Sequence, residues 1–238
     1  MKSLRTREIL VKFLSALLVV ATFGYTTANA AEHSVTFGEI PGFSESAQEG
    51  ILPDVMRLIG ASAGAEFGMI VQPFKRSIMS VAKGKHQAHL PFLNPGNGSV
   101  PAPGLAFNST PLFHTQFSLF HRPGVEIDMS NLASLNIETE LAHTDLFSFP
   151  TTGTSCIPCS LKKVVAGRVD AFLFANLDVI AIAEAEGITG LAETLYKRYP
   201  THFVIKEGDT EIDALLTKGI EDAVQSGSLQ EVLGPNWQ

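Results

Sequence analysis

The sequence predicts an α/β fold. Short apolar runs alternate with stretches whose apolar residues recur every three and four positions, the signatures of buried strands and amphipathic helices. Breaks rich in glycine and proline separate the two kinds of segment. The first thirty residues stand apart from this alternation. Lys2, Arg5, Arg7 and Lys12 precede an apolar run from Phe13 to Phe23, and Ala28-Asn29-Ala30 supplies a small-residue end. That order is the form of a secretory signal peptide, here cleaved after Ala30. A membrane-spanning helix needs about 20 apolar residues, and the run from Phe13 to Phe23 is too short for that. No cysteine lies near the cut, so a lipid-anchored form is not expected.

The elements read in order as follows. Ser34 to Phe37 is a first strand, ended by Gly38 and the Pro41-Gly42 break. After Gly50, the pairs Ile51-Leu52, Val55-Met56 and Leu58-Ile59 mark the buried face of a helix that Gly64 terminates. Phe67 to Val71 is a second strand. Pro73 opens a helix in which Ile78, Met79 and Val81 pack inward, and His89 to Phe92 is a short third strand. Asn94-Pro95-Gly96-Asn97-Gly98, with Pro101, Pro103 and Gly104, form a long turn-rich loop. A strand near Gln116 to His121 follows, and Ile137 to Ala142 and Leu146 to Phe149 also read as strands. Leu161 to Val165 begins a helix ended by Gly167. Asp170 to Ala175 is a strongly apolar buried strand, and Leu177 to Ala185 a helix. His202 to Lys206 reads as the last strand, before a helix from Ile212 to Val224 and a shorter apolar segment from Leu229 to Leu233.

Removing residues 1–30 leaves 208 of the 238 residues, room for one large or two small domains. It also takes away four of the 17 basic and one of the 24 acidic residues, so the formal charge moves from −7 to −10. A surface that acidic repels phosphate backbones and anionic lipid, which excludes nucleic acid as the expected partner. Cys156 and Cys159 are the two cysteines. In an exported chain so close a pair reads as a short-range disulfide. A thioredoxin-like redox role is the sharper alternative, but the pair lies late in the chain and not at a first strand–helix junction. No histidine sits at zinc spacing beside it, and no metal site is expected there.

Three pieces of wording, in order, are similar to the family 3 extracellular solute-binding proteins of bacteria. They are Ile40-Pro41-Gly42-Phe43 with Gly50-Ile51-Leu52-Pro53-Asp54, then Phe107-Asn108-Ser109-Thr110-Pro111-Leu112-Phe113, then Val165-Ala166-Gly167-Arg168-Val169-Asp170-Ala171-Phe172. Pro73-Phe74-Lys75-Arg76 is a weaker echo. The resemblance spans nearly all of the chain after the signal peptide. It implies a type II periplasmic-binding-protein-like fold, in which each of two lobes is a small sheet flanked by helices and the ligand sits between them. Lobe 1 would be residues 31–116 plus 203–238, and lobe 2 residues 117–202, with crossings near Phe113–Ser118 and Tyr199–Phe203. The same resemblance implies a monomeric periplasmic receptor that takes a small polar solute to an inner-membrane permease of an ABC-type uptake system, or reports it to a membrane sensor. No cofactor is implied. The stretch Ser148 to Thr154 stands where the family's ligand-facing helix would start.

Members that bind α-amino acids place an arginine for the carboxylate about six residues before the Phe107 position, and an aspartate for the ammonium at the Ala175 position. Here those slots hold Pro101 and Ala175, and no Arg or Lys occurs between Lys85 and Arg122. Enclosing an unpaired zwitterion would cost several kcal/mol per ion, so the expected ligand is not a standard α-amino acid. The candidate ligand-binding residues are Glu39, Phe43, Arg76, Phe92, Asn108, Thr110, Thr151 and Asn176: apolar walls with a few directed polar groups, the usual make-up of a small-molecule site. Phe92 also fits a core position, Asn108 and Thr110 a capped turn, and Arg76 a solvated first helical turn. A lyase or dehydratase on the same scaffold is the weaker reading. It would draw on Glu39, His89 and His143, which nothing in the sequence ties together, and no G-x-S-x-G, H-E-x-x-H or phosphate-loop motif is present. His86 and His89, three apart on an expected strand, would point to opposite faces and make a poor chelate.

Overall fold

Three parallel strands make the first sheet segment: β1 (His33–Gly38) lies between β2 (Phe67–Gln72) and β3 (Ala88–Leu93). The helices α1 (Ile51–Ala63) and α2 (Phe74–Ala82) connect them. The computed structural model describes residues 33–40, 42–99 and 101–237, so the expected signal peptide and Pro41 of the opening motif lie outside the described residues. Alternation along β1 sorts its two faces, as strand geometry requires. Val35 and Phe37 are fully buried with Leu52, Val55, Met56 and Ile59 of α1. Thr36 and Gly38 face the other way, towards α2. Gly38 is required there, because a Cβ would run into the Phe74 ring that lies over it.

A second set of parallel strands follows. β6 (Ile137–Glu140) lies between β7 (Thr152–Thr154) and β8 (Ala171–Ala175), with α3 (Ile157–Val165) between β7 and β8 and α4 (Asn176–Ala185) after β8. Helices and loops cover both faces, which is why Ala171 to Ala175 is apolar throughout. Leu173 joins a cluster with Phe117, Leu119, Ile137 and Tyr199, while Phe172 joins one with Phe120, Leu161, Val164 and Val179.

Two long antiparallel strands join the sets: β5 (Phe113–His121) and β9 (Ala192–Lys206), with the short β4 (Leu105–Phe107) also on β9. Each contributes to both groups of cores. Phe113 packs with the α1 side and Phe117 with the β8 side; on β9, Phe203 and Ile205 belong to the first core and Tyr199 to the second. All strands therefore form one nine-stranded sheet of order β2-β1-β3-β9-β5-β8-β6-β7, with β4 on β9 off that path, and the division is between cores. The closing helices α5 (Thr210–Gln225) and α6 (Ser228–Leu233) return to the first core through Leu216, Ile220 and Leu229. Among the described residues no helix is long and apolar enough to cross a membrane.

The α/β class and most elements are as expected; Met79, expected to pack inward with Ile78 and Val81, is instead 46% exposed, and three elements need correction. Leu146 to Phe149 is not a strand. A 3₁₀ turn spans Leu141–Leu146, and Phe147 and Phe149 stack on each other 5.8 Å apart, both edge-on to Tyr196. Pro150 follows, which could donate no ladder hydrogen bond. The strand expected at His202 begins ten residues earlier, at Ala192. Its first part pairs only with β5 and carries the exposed Glu193, Lys197 and Arg198, so it shows no apolar run. Finally, α3 starts at Ile157 and not at Leu161, with Pro158 in its first turn. The 3₁₀ turn is therefore what stands between β6 and β7, and Ser148 to Thr154 is the approach to β7 and β7 itself.

Candidate functional site

In each parallel set the carboxyl ends of the strands share one edge, the edge where α/β proteins gather ligand-binding groups. On the first edge, Glu39 follows β1 and is exposed, its backbone N–H bonded to Gln72 O at 2.8 Å. Arg76 is exposed in the first turn of α2 and makes no ion pair with any described residue, Glu39 included. Phe43 is half-buried against the first core. Phe92, near the end of β3, lies 6.0 Å from Phe74 and 5.9 Å from Phe107, and Phe107 lies 5.5 Å from the buried His202. A run of aromatic rings thus borders this edge, with Phe74 partly exposed at its end.

Beneath Phe74 lies a polar chain that sequence inspection missed. Gln72 Nε2 donates to Thr36 Oγ1 at 2.9 Å, Thr36 meets Ser77 Oγ at 3.0 Å, and Ser77 meets His89 Nδ1 at 2.6 Å. An amide nitrogen can only donate. Thr36 Oγ1 therefore accepts from Gln72, and Ser77 engages Nδ1 of the imidazole, leaving Nε2 as the other ring nitrogen. That atom is buried with no hydrogen-bond partner, and the ring sits edge-on to Phe74 at 5.0 Å. Burial pushes the His89 pKa down to about 3, a backbone contact at Pro91 opposing only in part. The imidazole is neutral throughout the physiological range. His86 instead bonds Ser34 Oγ at 3.2 Å, so the two histidines serve different partners.

Asn108 is buried and engaged within the chain. Its Nδ2 donates to Thr110 O at 2.7 Å, its Oδ1 accepts from Phe203 N at 2.9 Å, and its carbonyl accepts from His202 Nδ1 at 2.9 Å. It clasps the β4–β5 connection to β9. Thr110 is half-buried beside it.

On the second edge, Glu140 ends β6. Its carboxylate accepts from Ala142 N at 2.8 Å and from His143 Nδ1 at 2.9 Å. The His143 ring packs edge-on to Phe174 at 5.1 Å. Asn176, buried, opens α4, and Asp178 follows in the same turn. Burial raises the Asp178 carboxyl above its usual range, and the nearby His143 only partly offsets that. Thr151, half-buried, precedes β7, and its Oγ1 is buried without a hydrogen-bond partner. The Cys156–Cys159 disulfide lies just beyond the end of β7. Below it, burial pushes the Glu138 carboxyl up, but hydrogen bonds from Lys163 and Ser160 and the Lys163 charge outweigh that and hold it below the usual range.

The structure thus places Glu39, Arg76 and Phe92 along one edge, with Phe43 on the adjoining loop, and Thr151 and Asn176 beside the other. Asn108 and Thr110 sit on the connection between them. Glu140, Asp178 and Ser77 are the polar groups that inspection overlooked. Only Asp178 left a trace in the sequence, an acid in a first helical turn straight after a buried strand. Two surface depressions, of about 350 and 360 Å³, are lined by Met129 to Ala133 with Phe149 and Tyr196, and by residues of α4 with the start of β9. Neither contains any of the eight candidates.

No protein-family model matches the chain, and no curated protein sequence does. Solved structures do match in fold. A histidine kinase sensor domain with similarity to periplasmic binding proteins superposes with a TM-score of 0.65 at 14% identity, over 86% of this chain and 95% of that one. The GluR0 ligand-binding core in complex with L-glutamate gives 0.65 at 16% identity, over 88% and 100%. The L-cystine solute receptor of Neisseria gonorrhoeae, unliganded and open, gives 0.62 at 12% identity, over 86% and 92%. The fold is that of two-lobed periplasmic-binding-protein-like domains, and these neighbours are binding and receptor proteins.

Proposed function

We propose that this chain is an exported, non-enzymatic receptor of the family 3 solute-binding type, acting in the periplasm as a monomer. It would hold a small polar solute between two halves, 31–116 plus 203–238 and 117–202, that hinge on β5 and β9. The observation that carries the reading is the pair of strand-end edges bearing polar groups, joined by two strands shared between separate cores. Glu39, Arg76, Phe43, Phe92, Thr110, Thr151 and Asn176 are the proposed contacts, with Glu140 and Asp178 as further polar groups on the second edge. Delivery to an inner-membrane permease of an ABC-type system is the primary reading. Signalling to a membrane partner is the second, favoured specifically by the sensor-kinase domain among the structural neighbours.

The ligand is proposed not to be a standard α-amino acid, because Pro101 and Ala175 stand in the two anchor slots. A thermal-shift panel of small metabolites tests the receptor reading. A solute present at about 100 times its Kd stabilises by about 2.7 kcal/mol, which for a chain of this size is a rise of roughly 5–10 °C. A broad panel with no shift would argue against a receptor. In calorimetry, none of the twenty common amino acids should bind tighter than about 10 μM, near 7 kcal/mol. A submicromolar amino acid would overturn the ligand assignment alone.

A further inference from the structure

The Cys156–Cys159 disulfide is poorly placed to act as a staple. It joins residues three apart, Cα to Cα 5.3 Å, where the first turn of α3 already holds them: Ser160 N bonds Cys156 O at 3.2 Å. The helix is also fastened to β6 without it, through Ser160 Oγ to Glu138 Oε2 at 2.5 Å and Lys163 Nζ to Glu138 Oε1 at 2.8 Å. Opening the bond would leave α3 in place. Chemically the position is well suited to exchange. Cys159 is exposed and Cys156 is half-buried. Cys156 is the N-cap of a nine-residue helix, yet while oxidised its side chain makes no capping hydrogen bond. Freed as a thiolate, it would face the unpaired N–H groups and the positive end of the helix dipole, which lower a thiol's pKa and stabilise a leaving sulfur. The charged groups of α3, Lys162 and Lys163, are paired with Glu186 and Glu138.

We propose that Cys156–Cys159 is a thiol–disulfide exchange site on the strand-end edge of the second half, attacked at the sulfur of the more exposed residue, Cys159, with Cys156 as the leaving thiolate. In the first step a substrate thiolate bonds to Cys159 Sγ as the Cys159–Cys156 bond breaks, and the electron pair goes to Cys156. A second substrate thiolate then attacks the substrate sulfur of the mixed disulfide and releases Cys159. Two thiols are oxidised to one disulfide and the protein disulfide is reduced to two thiols. The substrate class is a thiol, either a free low-molecular-weight thiol or a protein dithiol.

The test takes the full exported chain in its oxidised form and exposes it separately to reduced glutathione and to a reduced dithiol protein, counting freed thiols by mass tagging. Exchange with both identifies a free thiol as sufficient, and exchange with the dithiol protein alone identifies a protein partner. Failure with both overturns the proposal. The reduced chain should keep its fold, melting within about 3 °C of the oxidised one; a larger loss would mean that the bond is structural after all and would also overturn it. In a Cys159→Ser variant, Cys156 should alkylate at neutral pH about tenfold faster when folded than in urea. Equal or slower reaction when folded would remove the leaving-group assignment. None of these readouts depends on the solute-receptor reading.

Discussion

At the interface of β1, β3 and α2, burial holds His89 neutral at the end of a hydrogen-bond chain, and this has a consequence for acid stability. The unfolded chain protonates this imidazole near pH 6.5, whereas the native state takes up the proton only near pH 3. Between those values the unfolded state binds more protons, so stability is lost as pH falls below about 6.5. The slope from one such group approaches about 1.4 kcal/mol per pH unit. His86 and His202, also lowered chiefly by burial, push in the same direction. Urea midpoints at pH 7 and pH 5 should show the natural chain losing about 2 kcal/mol more than a His89→Gln variant. Equal losses would mean that His89 is not the buried neutral group. Little of this was visible in the sequence. Ser77 and Thr36 are ordinary residues forty-one positions apart that meet only because α2 packs on β1.

Between elements, α1 comes close to α5 at Gly219. A Cβ there would stand 2.6 Å from Ile59 O and 2.6 Å from its Cγ2. Gly219→Ala would gain up to about 1 kcal/mol of helix propensity, but overpacking against backbone costs about 1–3 kcal/mol. The clash should win, with the melting temperature lowered by several degrees. A rise would show that the helices can separate freely. Elements with an apolar face were legible for the same reason that they are stable: α1 shows three- and four-residue spacing because that stripe is buried. The first part of β9 was illegible because its hydrogen-bond partner is far away in sequence and its side chains are polar. Leu146 to Phe149 misled because its rings pack on one another and on Tyr196 and not across a ladder. Among the candidate residues, Glu39 and Arg76 could be placed from their positions after a strand and at a helix start. Asn108 could not, since only the structure shows that β9 consumes its hydrogen-bonding capacity.

For the molecule as a whole, the first core draws on elements far apart in the sequence, β1 and α1 on one side and β9, α5 and α6 on the other. Val35, Phe37, Leu52 and Ile59 are covered by Phe203, Leu216, Ile220 and Leu229. A chain ended after residue 207 lacks α5 and α6, and with them burial worth on the order of 10 kcal/mol, comparable to the entire stability of a domain. Such a truncation should show no cooperative thermal transition by circular dichroism. A sharp transition near the full-length temperature would mean that the second half folds alone and dominates the signal. The order of synthesis sharpens the point. β1 and α1 are made well before the helices that cover them, so their apolar surfaces stay bare until α5 and α6 arrive. A ribosome that stalls before α5 and α6 therefore leaves an open apolar face, which makes arrested chains substrates for holding chaperones and proteases.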